Sequence, residues 1–377
     1  MSLVLTLASR NLFHDRLRFV ATMVGIVFSV VLVMIQMGLF LGFGRMVTTM
    51  IDHASADLWV LPKGAKCFED PSLLDAKLRD KVASVAGVAS VVPLVIGFSD
   101  WRLDSGEMTP VFIVGADLKD GALQPWNVDE GDVKALAQTG AVAVDRSYFD
   151  RLGINRIGDT AEIRGHRVKV VALTDGIRSF TTTPYVFVDL KNARLYTGTF
   201  PDRASDLIVR LKPDADRGKV MEAIRAQAGD AEVLSSDEFR SRSRSFWLFG
   251  TGAGAALFAG ALLGVIVGTI IVAQTLYSST KDHLPEFATL RAMGSSNSYI
   301  YTVIIYQALI NAAIGFVIAA GIGYVVVEMT AKSALPIVIT SWLVAALLAL
   351  TIVMCVASGI GAIVRVVRID PATVFMR

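Results

Sequence analysis

Cysteine, histidine and charge are all scarce or unevenly spread in this chain, and each shortage removes a class of explanation. Two cysteines occur in 377 residues. Cys67 falls in a polar region and Cys355 in a long apolar run, so no disulfide is expected and the fold must be held by its own core. The histidines, His14, His53, His166 and His283, are scattered, none with a second ligand at metal spacing, so no metal site is expected. No glycine-rich loop ends in Gly-Lys-Ser or Gly-Lys-Thr, so the chain has no phosphate cradle with its lysine. Gly250, Gly252 and Gly254 lie in an apolar run rather than after a strand, which argues against a dinucleotide fingerprint. Nothing resembles a nucleophile elbow, so no catalytic residue is assigned. A formal net charge of +2 gives no electrostatic reason to expect nucleic acid. At 53% apolar residues and a mean hydropathy of +0.55, a disordered or collagen-like chain is excluded, and so is an ordinary soluble domain.

The charges themselves mark the organisation. Residues 1–44 and 245–377 together hold 14 Asp, Glu, Lys and Arg, whereas residues 45–244 hold 56. Uncharged runs of 26, 36, 36 and 32 residues lie between Arg18 and Arg45, Arg244 and Lys281, Arg291 and Glu328, and Lys332 and Arg365. Crossing the hydrocarbon core takes roughly 20 apolar residues, so each run is read as a membrane span. The first is too long for a signal-peptide core and is not closed by a small-residue cleavage site, so it stays attached. None of the four runs contains a charge, which argues against a proton or sodium pathway. The expected order is a cytoplasmic amphipathic helix (1–18), a first span (19–44), a periplasmic domain (45–244), a second span with a stalk (245–276), a cytoplasmic loop (277–299), a third span (300–327), a short periplasmic loop (328–337), a fourth span (338–364) and a cytoplasmic tail (365–377). Arg10, Arg16, Arg18, Lys281, Arg291, Arg365, Arg368 and Arg377 put both termini and the 277–299 loop in the cytoplasm by the positive-inside rule. Arg240, Arg242 and Arg244 oppose that rule but end a long translocated domain, where it carries little weight. The expected location is the bacterial inner membrane, with the lipid bilayer as the first partner.

The domain at 45–244 reads as mixed α and β. Apolar alternations at Ala56–Leu61, Val88–Val95, Pro110–Val114, Thr160–Ile163, Arg167–Leu173, Tyr185–Val188 and Leu207–Leu211 predict strands, with a further strand at 231–234. Helices are predicted at Leu73–Val85 and Asp216–Gln227. Two strand–helix–strand units thus flank a β-rich middle at about 97–200, where 152–173 suggests a small barrel. In the second span Gly260, Gly264 and Gly268 share one helix face. A subunit interface is expected there, with packing inside one subunit as the alternative. Gln36, Gln274, Gln307 and Asn311 are expected to bond between helices rather than touch substrate. Trp59, Trp101 and Trp126 are expected in the core, with contact to an adaptor as the alternative.

Three stretches then carry a resemblance. The run Ala8-Ser9-Arg10-Asn11-Leu12 with Arg16, Arg18 and Gly25-Ile26, the run Glu286-Phe287-Ala288-Thr289-Leu290-Arg291-Ala292-Met293-Gly294, and the tail Arg365-Val366-Val367-Arg368-Ile369-Asp370-Pro371-Ala372 resemble the FtsX-like ABC transporter permeases. The domain between the first two spans is similar to the MacB periplasmic core. Gln36-Met37-Gly38-Leu39 and Asp57-Leu58-Trp59-Val60 look most like the DevC-type members. The resemblance implies a four-helix membrane protein with an inserted α+β domain. It also implies a separate cytoplasmic ABC ATPase that holds the ATP and magnesium, no cofactor on this chain, a periplasmic membrane-fusion protein, and a permease homodimer. Lipoprotein or lipid release, and FtsX-like signalling to periplasmic partners, are the alternatives. In the cytoplasmic loop, Leu284, Phe287 and Leu290 recur at a spacing of three and share a helix face. Glu286 and Arg291 decorate the rest, and Gly294 ends the turn. These six residues are the expected ATPase-coupling helix.

Overall fold

The computed structural model describes residues 16–103, 105–181, 183–282, 297–330 and 337–367. The predicted coupling helix, with Leu284, Glu286, Phe287, Leu290, Arg291 and Gly294, lies outside the described residues, as do residues 1–15 and 368–377. The chain forms two units: residues 43–253, and residues 1–42 with 254–377.

The helices used below, in chain order, are α1 (Arg16–Met46), α2 (Thr49–His53), α3 (Leu78–Ala83), α4 (Leu190–Thr197), α5 (Arg217–Gln227), α6 (Ser236–Ser245), α7 (Ala253–Asp282), α8 (Asn297–Thr330) and α9 (Ser341–Val367). The strands used below are β1 (Leu58–Leu61), β2 (Val88–Arg102), β3 (Met108–Ala116), β4 (Val128–Gly131), β5 (Ala141–Asp145), β6 (Thr160–Ile163), β7 (His166–Thr174), β8 (Tyr185–Asp189), β9 (Asp206–Leu211) and β10 (Glu232–Ser235).

In the inserted unit these strands make one sheet, ordered β10-β1-β9-β2-β3-β8-β5-β7-β4. β6 pairs with both β2 and β7, so β2, β3, β8, β5, β7 and β6 close into a ring. The two predicted strand–helix–strand units share the other end of the sheet: β1 lies between β9 and β10, antiparallel to both. α3 and α5 contribute Leu78, Val82, Val220 and Ile224 to the core over this half. A separate core with Trp101, Ile113, Val144 and Tyr196 fills the ring. β5 escaped the sequence reading because Ala141-Val142-Ala143-Val144-Asp145 is buried along its whole length and shows no polar alternation. The predicted helix at Leu73–Val85 is shorter than expected. Leu74–Asp75 instead pairs with Arg203–Ala204, and the Asp75 carboxylate accepts from the Lys77 N–H at 2.9 Å, a local bond that competes with a helical start.

In the membrane unit α1, α7, α8 and α9 each carry a stretch long and apolar enough to cross a bilayer: Phe19–Met46, Ala253–Thr275, Tyr301–Thr330 and Ser341–Ile360. Lipid offers no hydrophobic drive between helices, so association depends on close backbone approach and polar bonds. α1 is the common neighbour. A Cβ at Gly260 would meet the Gln36 amide at 2.7 Å, one at Gly264 would meet Val33 at 3.0 Å, and one at Gly268 would fall on the Ser29 hydroxyl. Ser29 Oγ donates to the Gly264 carbonyl at 2.5 Å. The glycine face of α7 is therefore covered by α1 of the same chain. This corrects the expected subunit interface in favour of internal packing, since the face that a second copy would need is already occupied. The interhelical bonds also differ from expectation. Ser29 and Ser358 supply them, the latter to the Thr269 carbonyl at 3.0 Å, whereas neither amide atom of the fully buried Asn311 has a partner among the described residues.

Gly268→Leu is expected to destabilise the protein by about 1–3 kcal/mol, the usual cost of overpacking. Gly321→Leu, whose Cβ would meet nothing within 4 Å, is expected to be tolerated. Thermal unfolding of both variants in detergent reads the difference.

Candidate functional site

α6 ends at Ser245, where the segment predicted as the second span with its stalk begins. It starts cleanly because Ser235 and Glu238 form a reciprocal capping box, with the Ser235 N–H on Glu238 at 2.7 Å. Every turn is then tied down. Ser236 Oγ donates to the Ala56 carbonyl at 2.7 Å and receives the Trp59 indole N–H at 3.2 Å. Phe239 is fully buried beside Trp59. Arg240 pairs with Asp52 at 2.5 Å and also with Asp237. Arg242 reaches Glu232 at 2.6 Å and the Ala65 carbonyl at 3.2 Å. Ser243 Oγ bonds the Val47 carbonyl at 3.1 Å, and Arg244 Nε bonds the Gly44 carbonyl at 3.2 Å. Arg240, Arg242 and Arg244, which sequence reasoning treated only as charges against the topology rule, are the residues that join α6 to the exit of α1 and to the segment over the sheet.

Beyond α6 the helix changes character. Phe246–Gly250 is a π-helical turn, and Gly252 has φ +77°, a left-handed conformation that favours glycine. The run 245–276, read from sequence as a second span with a stalk, is therefore interrupted, and α7 begins afresh at Ala253. The π turn aims Trp247 inward. Its indole N–H donates to Glu69 Oε2 at 3.2 Å, while Tyr185 Oη, at the start of β8, donates to Glu69 Oε1 at 3.0 Å. Phe180 packs on Trp247 with ring centroids 4.3 Å apart and on Phe43 at 5.2 Å. Lys66 lies 5.7 Å from the Phe246 ring. One buried carboxylate thus links the π turn to a central strand.

The electrostatics follow from burial. Glu69 is 8% exposed, and desolvation raises its pKa against the bonds from its own backbone, Tyr185, Trp247 and Cys67, which favour the charged form. Burial and the neighbouring Glu69 charge push the Cys67 thiol up to about 12, so it is not a ready nucleophile. Asp206 is held well above the ordinary carboxylate range by burial and then by the charge of Asp70. Among the described residues no group of three or more His, Cys, Asp or Glu is placed to hold a metal ion. Trp59 and Trp101 are fully buried, as the core reading expected, and Trp126 is half-buried, stacked on His53 at 3.8 Å. The sequence contained no signal for Glu69: an acid in a polar loop has no periodicity that announces burial.

Four spans with an α+β domain inserted between the first two define a multi-pass membrane protein of permease architecture. Residues 19–227 match the MacB-like periplasmic core domain, and residues 248–371 match the FtsX-like permease C-terminal domain. The chain belongs to this FtsX/MacB-like family of ABC transporter permeases. It is 26% identical over 379 residues to an uncharacterized ABC transporter permease of Mycobacterium tuberculosis, found in two strains, with 98% of both chains covered. Among solved structures it is similar to the periplasmic region of MacB from Actinobacillus actinomycetemcomitans (11% identity, TM-score 0.39, covering 52% of this chain and 96% of that one). It is also similar to the extracellular domain of the noncanonic ABC-type transporter YknZ from Gram-positive bacteria (14% identity, TM-score 0.37, covering 48% and 99%). Family membership points to a transport subunit and implies a cytoplasmic ATPase partner.

Glu69→Ala is expected to cost about 1–3 kcal/mol for each donor left buried without a partner, Trp247 Nε1–H and Tyr185 Oη–H. Glu69→Gln keeps an oxygen and a nitrogen in place and is expected to cost less. It also changes the pH dependence. A raised carboxyl pKa means that folding takes up a proton, so Glu69 contributes fully below the ordinary carboxylate range. That contribution is lost as pH rises from there through the raised value. Unfolding across this interval is expected to show stability falling with pH in the wild type and falling less in Glu69→Gln.

Proposed function

We propose that the chain is the permease subunit of an ATP-driven exporter that passes conformational change from a separate cytoplasmic ATPase to its periplasmic domain. The observation that carries this reading is the Trp247–Glu69–Tyr185 chain of bonds, which lies where the polypeptide leaves α6 for α7 and ends in the central strand β8. A shift of the π turn would be felt at β8 through two hydrogen bonds to one desolvated carboxylate, where polar contacts are strong and costly to break. Binding energy spent inside the cell would thereby change the shape of the domain outside. ATP and magnesium would sit on the ATPase. The segment bearing Leu284, Phe287 and Leu290, with Glu286, Arg291 and Gly294, expected from sequence to be the coupling helix, would dock into it. In this reading both termini face the cytoplasm, two permeases assemble with two ATPases, and the periplasmic domain engages a membrane-fusion protein in a tripartite efflux system of the DevC type.

A Gly-Ser insertion at Ser243 breaks the bond to Val47 and the register of α6. It is expected to leave ATP hydrolysis by the complex in place while abolishing export; export that survives the insertion overturns the coupling reading. A gentle-detergent pull-down of the tagged chain is expected to recover an ATPase and a membrane-fusion protein. Recovery of a second, related permease in place of the fusion protein would indicate lipoprotein release, and recovery of a cell-wall hydrolase would indicate signalling.

A further inference from the structure

A cavity of about 330 Å³ opens on the membrane unit between α1, α8 and α9. Its deep wall is apolar: Met34 and Leu347 are each 4% exposed, and Phe316 stands beside them. Its mouth is formed by Tyr324 and Val344, 67% and 40% exposed, with Ile339 between the helices. Depth follows from chain position. Tyr324 lies six residues before the end of the span Tyr301–Thr330, about 9 Å along a helix. Val344 lies in the first turn of the span Ser341–Ile360, next to the exposed Trp342. Aromatic residues at this level mark the bilayer interface. Met34 and Phe316, by contrast, fall at the middle of their spans. The cavity therefore runs from interface level inward to the midplane, in the leaflet where α8 ends and α9 begins.

We infer that this cavity is a binding site for one acyl chain of a membrane lipid. The surrounding medium at this depth is hydrocarbon, the lining is hydrocarbon, and a chain entering at Tyr324 and ending near Met34 repeats the orientation of a bilayer lipid. Among the described residues the lining carries no charge, so what it offers a ligand is apolar contact with the chain. Tyr324 supplies the one polar side chain among the described lining residues, at the mouth of the cavity. The inference stands independently of the coupling reading, since it uses only residues of the membrane unit.

The full chain in nanodiscs doped with phosphatidylethanolamine carrying a diazirine at the end of one acyl chain tests it. After illumination, adducts mapped by mass spectrometry are expected to concentrate on Met34, Phe316 and Leu347. They are expected to fall several-fold in Ala320→Trp, which fills the cavity, with unchanged oligomer size and thermal stability. Val344→Phe serves if Ala320→Trp does not fold. Adducts spread evenly over the outward residues Val317, Ile318 and Val353 overturn the site, as does labelling that a folded filling variant leaves unchanged. A wild type that is unlabelled until a dimer dissociates also overturns it, and assigns the cavity to a second copy of the chain.

Discussion

Inserting a soluble domain between two membrane spans requires the chain to return to where it left. The rest of the inserted unit is arranged around that closure. β1 and β10, the first and last strands of the insertion, pair directly along Leu58–Leu61. α6 then lies against the exit of α1, through Ser243 to Val47, Arg244 to Gly44 and Arg240 to Asp52. With both ends joined, the ring of six strands can hang from β2 without its own path back to the membrane. The two strand–helix–strand units interleave because the closing strand must come last in sequence and sit beside the first in space.

The same closure explains why a buried carboxylate is tolerated. A desolvated acid is unfavourable unless its lone pairs are met, and Glu69 has Trp247 on one oxygen and Tyr185 on the other. These donors lie 62 residues apart in sequence, and only the finished fold brings them together. The π turn that presents Trp247 is a local departure from regular helix, of the kind often found at functional positions.

In the membrane unit the governing constraint is contact distance. Gly260, Gly264, Gly268, Gly315 and Gly323 leave room for side chains of α1, so one helix contacts both α7 and α8. The cavity between α1, α8 and α9 is where that packing stops being close, and it is lined by the residues that lipid itself would choose.

Several features were legible in the sequence because they rest on local physics. The four spans follow from uncharged length. The strands at 88–95, 160–163, 185–188 and 207–211 follow from alternation, and the family from three short motifs. The glycine repeat showed that a close helix contact exists. It could not show with which helix, because a shared face is a property of one element and its partner a property of the fold. Asp237 and Glu232 stand near Arg240 and Arg242 in sequence, but the contacts of Arg240 with Asp52 and of Arg244 with Gly44 were hidden, since those residues lie nearly two hundred positions earlier. Glu69 was invisible for the same reason: its burial comes from Trp247 and Tyr185, far along the chain. Composition and periodicity thus determined where this protein meets lipid and where it meets water. Tertiary structure alone decided which distant groups share a desolvated site, because burial is conferred by neighbours that no sequence window contains.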